Sequence, residues 1–141
     1  MSLLVVRHAD ASSRHGWRSD DRLRPLTDKG FAQARGLVDL LADERIEVVV
    51  SSPAVRCLQT VEPLAEARGL SVVLDNALWE GMPLAPVRRL AGDLDHAVLC
   101  FHGDLIPALI DQLIAEGMAA VDRDAKKGST WVLERDGATF T

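Results

Sequence analysis

Arg7 and His8 close a run of four apolar residues, Leu3-Leu4-Val5-Val6. A guanidinium beside an imidazole is suited to phosphate chemistry. Arginine holds phosphoryl oxygens through charge-assisted, often bidentate hydrogen bonds, and a neutral histidine can attack phosphorus. The pair alone is a weak signal, since a strand can simply end in polar residues. Three further groups, Arg56, Glu80 and His102, change its meaning, because each follows another segment that reads as a strand or its turn.

Taken together, the residue types suggest a division of labour. Arg7 and Arg56 would hold the equatorial oxygens of a phosphoryl group. His8 would be the nucleophile and must be neutral to act. Like-charge repulsion from Arg7, Arg56 and a protonated His102 is expected to lower its pKa. His102 would donate to a phosphoryl oxygen and stabilise charge in the transition state. Glu80 would protonate the leaving group and then activate water.

These residues need elements to position them. Leu3–Val6 reads as a strand buried on both faces, as in a parallel sheet. A polar loop without periodicity, long enough to be functional, covers Asp10 to Arg24. Thr27 has the character of an N-cap, with Asp28 in the first turn and Phe31, Ala34, Val38 and Leu41 at helical spacing to about Ala42. Ile46–Val50 is a β-branched second strand. Ser52-Pro53 predicts a helix starting at Pro53, whose N-terminal dipole would favour an anion, and Gly69 ends it. Ser71–Leu74 is a third, shorter strand, and a weak helix is expected over Pro86–Ala91. His96–Phe101 is the fourth strand. An apolar helix from Leu105 to Ile114 follows, capped by Asp104. The stretch 118–127 reads as irregular, and Ser129–Glu134 as a last strand, at an edge or antiparallel.

This alternation predicts an α/β fold, a three-layer sandwich with a mostly parallel central sheet and helices on both faces. Ligands in such sheets bind at the C-terminal strand ends. Four strands of one sheet would therefore deliver ionisable residues to one edge, an argument that depends on topology and on no motif.

The chain has 141 residues, which suits one domain spanning 1–141, and a net charge of −5. The acidic balance argues against a nucleic-acid partner. No apolar run approaches the roughly 20 residues that cross a bilayer, and no secretory signal opens the chain. The expectation is a cytoplasmic protein without a membrane partner, a monomer or weak dimer. The two cysteines, Cys57 and Cys100, match no metal or redox spacing and read as buried thiols.

The segments Val6-Arg7-His8-Ala9, Arg24-Pro25-Leu26-Thr27, Ser51-Ser52-Pro53-Ala54-Val55-Arg56-Cys57-Leu58-Gln59-Thr60, Leu78-Trp79-Glu80 and Phe101-His102-Gly103 resemble the histidine phosphatase superfamily, also called phosphoglycerate mutase-like. The resemblance runs in order along nearly the whole chain. It is similar in particular to the small SixA-type phosphohistidine phosphatases and to the phosphatase-like C-terminal domain of some Nudix hydrolases. It implies that His8 is phosphorylated during turnover, that Arg7, Arg56 and His102 bind the phosphoryl group, that Glu80 is the candidate proton donor, and that Arg24 is a second-tier candidate for the phosphate pocket. No metal and no cofactor are implied. The expected partner is a phosphorylated protein or a small phosphorylated substrate.

Two departures stand out. The family's Arg-His-Gly is Arg-His-Ala here, which is tolerable if φ at Ala9 is negative. Only 21 residues, positions 81–101, separate Glu80 from His102. That leaves no room for a large lid insertion, so an open, shallow pocket is expected. Such a pocket suits a phosphate on a protein side chain and argues against mutase activity, which must shield its intermediate from water. The leading expectation is a metal-independent phosphatase acting on a phosphohistidine protein or another phosphomonoester. A nucleotide or small-metabolite phosphatase and a non-catalytic phosphate-binding module are the alternatives. Ordinary readings also exist for single residues. Glu80, Arg14 and Arg24 could be solvated, Trp17 and Trp79 near the pocket could stack on a substrate but more simply pack on the loop, His15 reads as exposed, His96 lies at the far end of its strand, and Trp131 reads as core.

Overall fold

The computed structural model describes residues 2–121, 126–136 and 139–141. Among them the elements run β1 (Ser2–Arg7), α1 (Asp28–Leu40), β2 (Val48–Ser51), α2 (Val55–Ala67), β3 (Val72–Leu74), α3 (Leu84–Asp93), β4 (Ala97–Phe101), α4 (Leu105–Ala115), β5 (Thr130–Asp136) and β6 (Thr139–Phe140). Short 3-10 turns lie at Asp21–Leu23 and Asn76–Leu78. The sheet order is β3-β2-β4-β1-β5-β6. The first four strands are parallel. β5 runs antiparallel to β1 and is itself covered by β6, so it is not the edge.

The period-2 alternation of strand side chains explains the three layers. Along β1, Leu3 and Val5 enter one core with Ala97, Leu99 and Phe101 of β4, and the apolar faces of α3 and α4 cover it. Leu4 and Val6 enter the other with Val98 and Cys100, beneath Leu37 of α1 and Cys57, Val61 and Leu64 of α2. All four apolar residues of β1 are fully buried, each contributing on the order of 1.5–3 kcal/mol of transfer free energy. A strand covered on both faces must be apolar throughout, and its Arg-His pair can reach solvent only at the end of the sheet.

Three boundaries differ from expectation. α2 begins at Val55 with Ala54 as its N-cap and no side-chain cap. Ser51 instead finishes β2, and the Ser52 hydroxyl accepts from the Ala54 N–H while also meeting His102, which keeps Pro53 outside the helix. Asp104 precedes α4 without capping it. Its carboxylate accepts from the Gly81 N–H at 2.8 Å, tying the Glu80 turn to the start of α4. α3 is longer than the weak helix expected, spanning Leu84–Asp93. Thr27 caps α1 as expected, accepting from the Gly30 N–H. Of the irregular stretch expected over 118–127, positions 122–125 lie outside the described residues. Trp131 is buried in the core, and Cys57 and Cys100 are free buried thiols. Among the described residues no helix is long and apolar enough to cross a membrane.

Candidate active site

Parallel pairing aligns the strand ends that carry the chemistry. Arg7 lies opposite Phe101 in the β1–β4 register, so His8 and His102 emerge side by side, with ring centroids 5.5 Å apart. The His8 N–H is held by the Phe101 carbonyl at 3.2 Å, and the Ser52 N–H by the Cys100 carbonyl at 2.9 Å. Three adjacent parallel strands thus bring His8, Ser52 and His102 to one point.

His8 is buried, and its Nδ1 lies 2.9 Å from the Ala9 carbonyl. A carbonyl only accepts, so Nδ1 carries the proton and Nε2 keeps its lone pair. The Ala9 N–H donates to the Thr60 hydroxyl at 2.9 Å, which donates in turn to the Arg56 carbonyl in α2. The turn after β1 is thereby fixed from both sides. Ala9 has no positive φ; among the described residues His96 (φ 49°) is the single non-glycine that does. Alanine at position 9 therefore carries no left-handed strain.

The His8 pKa is pushed down to about 3. Burial is the largest cause; the hydrogen bond to Ala9 opposes it, and His102, Arg56 and Arg7 add smaller downward effects. The expected direction holds, but its main origin is desolvation of the imidazolium, with like-charge repulsion secondary.

Arg56 lies in the first turn of α2 and is 2% exposed. One Nη donates to the Asp21 carbonyl at 2.9 Å, and the other reaches Glu80 at 3.0 Å and the Asp21 carboxylate at 3.3 Å. Its Nε is buried without a partner. A buried guanidinium held by movable carboxylates, with a donor to spare, is what an anion site requires. His102 is also buried. Its Nε2 meets the Ser52 hydroxyl at 2.9 Å and its Nδ1 lies 3.5 Å from Arg56. Arg7 packs against Gly103, where a Cβ would stand 2.7 Å from the guanidinium carbon. Glycine is needed there because the cation occupies the space of a side chain. Burial lowers the Arg7 pKa, while the charges of Glu80 and Asp104 oppose that.

The loop over 10–24 is anchored at both ends. A Cβ on Gly30 would lie 2.0 Å from the Asp10 carbonyl, so the N-terminus of α1 presses directly on the loop. Arg24 is buried, and its guanidinium donates to the Asp21 carboxylate and the Ser12 carbonyl at 3.0 and 2.6 Å. Asp21 thus meets Arg24 and Arg56, with Arg14 3.5 Å away. Partial burial raises its pKa, but the Arg24 hydrogen bond and the nearby guanidiniums outweigh that and hold it below the ordinary value. Arg14 also pairs with Glu80 at 3.3 Å.

Two clefts result. A cleft of about 820 Å³ is lined by Arg7, His8, Arg24, Glu80 and His102. A second, of about 760 Å³, is lined by Trp17, Asp21, Arg56, Trp79 and Met82. Arg14 and Glu80 line both. The structure therefore brings all six sequence-derived candidates to one end of the sheet, with the loop over 10–24 forming a wall. His15 is exposed, and His96 lies at the opposite end of β4. The residue order gives no place in the site to Ser52, Thr60, Asp21, Asp104 or Lys127, which lines the first cleft. The first two sit inside the quoted Ser-Ser-Pro…Thr segment, but only their contacts reveal what they hold. Among the described residues no three His, Cys, Asp or Glu side chains are grouped to hold a metal ion.

Comparison with known proteins gives the same picture. A family model for the histidine phosphatase superfamily (branch 1) matches residues 3–83. An 8-oxo-(d)GTP phosphatase of Mycolicibacterium smegmatis is 34% identical over 140 residues, covering 94% of this chain and 44% of that protein. The chain spans less than half the length of the curated relatives it matches. The protein histidine phosphatase SixA complexed with tungstate shares the fold at a TM-score of 0.81 and 22% identity, over 100% of this chain and 93% of that one. SixA from Nakamurella multipartitia is 26% identical with a TM-score of 0.72, over 94% of this chain and 83% of that one. The motif order, the six-stranded sheet and the family match agree, and the chain belongs to the histidine phosphatase superfamily.

Proposed function

We propose that the protein is a phosphatase that hydrolyses phosphomonoesters without a metal ion, through a phosphohistidine intermediate on His8. The observation that carries this is the state of His8: buried, neutral, with Nδ1 tied to the Ala9 carbonyl and Nε2 free beside Arg56 and His102. The incoming phosphoryl group would displace Asp21 and Glu80 from Arg56 and take up the guanidiniums of Arg56 and Arg7. His8 Nε2 forms a bond to phosphorus as the ester oxygen departs with the proton of Glu80. Glu80, now ionised, takes a proton from water, which attacks phospho-His8 and releases inorganic phosphate. His102 would donate an N–H to an equatorial oxygen and stabilise the charge there in both steps. Arg24, bonded to Asp21, would set how far the loop can yield.

The substrate class has two readings. A small phosphorylated molecule, including a nucleotide, fits a cleft walled by the loop over 10–24, and it agrees with the name of the Mycolicibacterium smegmatis relative. A phosphohistidine-bearing protein agrees with the name of the SixA relatives, and an imidazole leaving group asks less of an exposed acid such as Glu80.

The test is His8→Ala on the purified protein. Turnover of an aryl phosphate should fall by at least ~10³-fold, and acid-labile phosphate trapped in the native protein should map to His8. Undiminished activity of the variant would remove the mechanism.

A further inference from the structure

The cleft beside the phosphoryl site carries chemistry that phosphate binding does not use. Trp17 from the loop over 10–24 and Trp79 from the turn before Glu80 both line it, and both are half-buried. Their indole N–H groups are already occupied, that of Trp17 by the Asp20 carbonyl and that of Trp79 by the Asn76 side chain. What the two residues offer the cleft is therefore ring surface, with the thioether of Met82 beside it. Aromatic surface of this kind favours a planar π-system by stacking. Trp79 also packs against the α1–α2 core, so its ring is seated rather than free to turn away.

The passage between the clefts adds a charge condition. It holds the Glu80 and Asp21 carboxylates and the guanidiniums of Arg14 and Arg56. A phosphoryl group bound at His8 would claim Arg56, leaving Asp21 with Arg24 and Arg14, while Glu80 carries the proton it gives to the leaving group. A second phosphate in the passage would have to take Arg14 from Asp21 and lie against that carboxylate, whereas an uncharged sugar leaves the pair intact.

The geometry points to a nucleoside monophosphate as the substrate, with its base against Trp17 and Trp79, its sugar across the passage at Glu80 and Arg14, and its phosphate at His8. This rests on the phosphatase reading above and names its substrate class. Trp17 and Trp79 then act as specificity residues for the leaving group.

Two measurements test it and fail separately. The first compares kcat/KM for AMP, GMP, ADP, GTP, glycerol phosphate and a phosphohistidine-bearing protein. The monophosphates should exceed glycerol phosphate by about tenfold or more, as expected for stacking on two aromatic rings, and should exceed the di- and triphosphates. Trp17→Leu should shrink the AMP-to-glycerol-phosphate ratio severalfold, and Trp17→Phe should restore most of it. A ratio near one, a ratio that Trp17→Leu leaves unchanged, or a higher kcat/KM for ADP, GTP or the phosphohistidine protein would overturn the assignment. The second measurement follows the three indole N–H resonances of His8→Ala protein by NMR. AMP should move Trp17 and Trp79 and leave Trp131, buried in the core, in place. Equal shifts with glycerol phosphate, or none with AMP, would remove the aromatic subsite even if phosphatase activity is strong. The expected shifts, together with a native protein that turns over no phosphate ester, would sink the phosphatase reading and leave the subsite standing.

Discussion

His8, Arg56 and His102 are buried where β1 and β4 end and α2 begins, and backbone hydrogen bonds across three parallel strands set the two histidines and Ser52. Glu80, Arg14 and Asp21 face them from loops, with side chains 40%, 62% and 44% exposed, held mainly by ion pairs with one another and with Arg56. The first group would contact phosphorus and its equatorial oxygens, which are the same in every phosphomonoester. The second would contact the leaving group, which varies. A rigid, desolvated half suits the invariant part of the reaction, because its dipoles need not reorganise as charge develops. A solvated half, whose Arg14 pairs are weak surface ion pairs, can accommodate different leaving groups at small energetic cost.

The contrast can be broken or sharpened by experiment. On the loop side, Glu80→Gln should lower kcat by about 10²-fold for alkyl phosphates, the usual range for a lost general acid. The loss should be much smaller for nitrophenyl phosphate, whose leaving group needs no proton. An equal loss on both would mean that Glu80 only positions Arg56. On the strand side, Gly103→Ala forces the Arg7 guanidinium aside, since the new Cβ would lie 2.7 Å from its central carbon. One or two weakened charge-assisted bonds should raise KM and the inhibition constant for phosphate by roughly tenfold. The thermal midpoint should hardly move, because only the end of a side chain yields. Unchanged phosphate inhibition would take Arg7 out of the pocket.

Smaller still, Ser52→Ala removes the hydroxyl 2.9 Å from His102 Nε2. A loss of about fivefold in kcat is expected, the scale of one neutral hydrogen bond. The ¹⁵N shifts of the His102 ring should change with it; a kcat loss without that change would mean Ser52 acts through the backbone instead. The last test concerns stability. His8 titrates at about 3 in the folded chain, below the value of about 6.5 for an exposed histidine. Between those values the unfolded chain binds a proton that the folded one refuses, so the contribution of His8 to stability is lost as pH falls from about 6.5 toward 3. Chemical denaturation should show the native protein losing more stability than His8→Ala over that interval. Parallel pH curves would mean that His8 is not desolvated.

Much of the strand-end half was legible in the order of residues. A buried parallel strand needs an unbroken apolar run, so Leu3–Val6 and Ala97–Phe101 announce themselves, and whatever polar residue follows must emerge at the C-terminal edge. That logic placed Arg7, His8 and His102, and the alternation of strands and helices placed α1 to α4 on two faces. The loop side gave no such handle. Contacts such as Arg24 to Asp21, Asp21 to Arg56 and Asp104 to Gly81 join positions with no periodic relation, and propensity alone made Asp104 a helix cap and Pro53 a helix start.

By itself, then, the amino-acid sequence determined the fold class, the family and the buried chemical groups, because hydrophobic periodicity and topology are properties of residue order. Only the tertiary structure decided how His8 is kept neutral, which nitrogen it presents, what occupies Arg56 before a ligand arrives, and that two tryptophans wall the adjoining cleft. Those outcomes depend on desolvation and on hydrogen bonds between segments far apart in the chain, and neither exists until the sheet has brought the segments together.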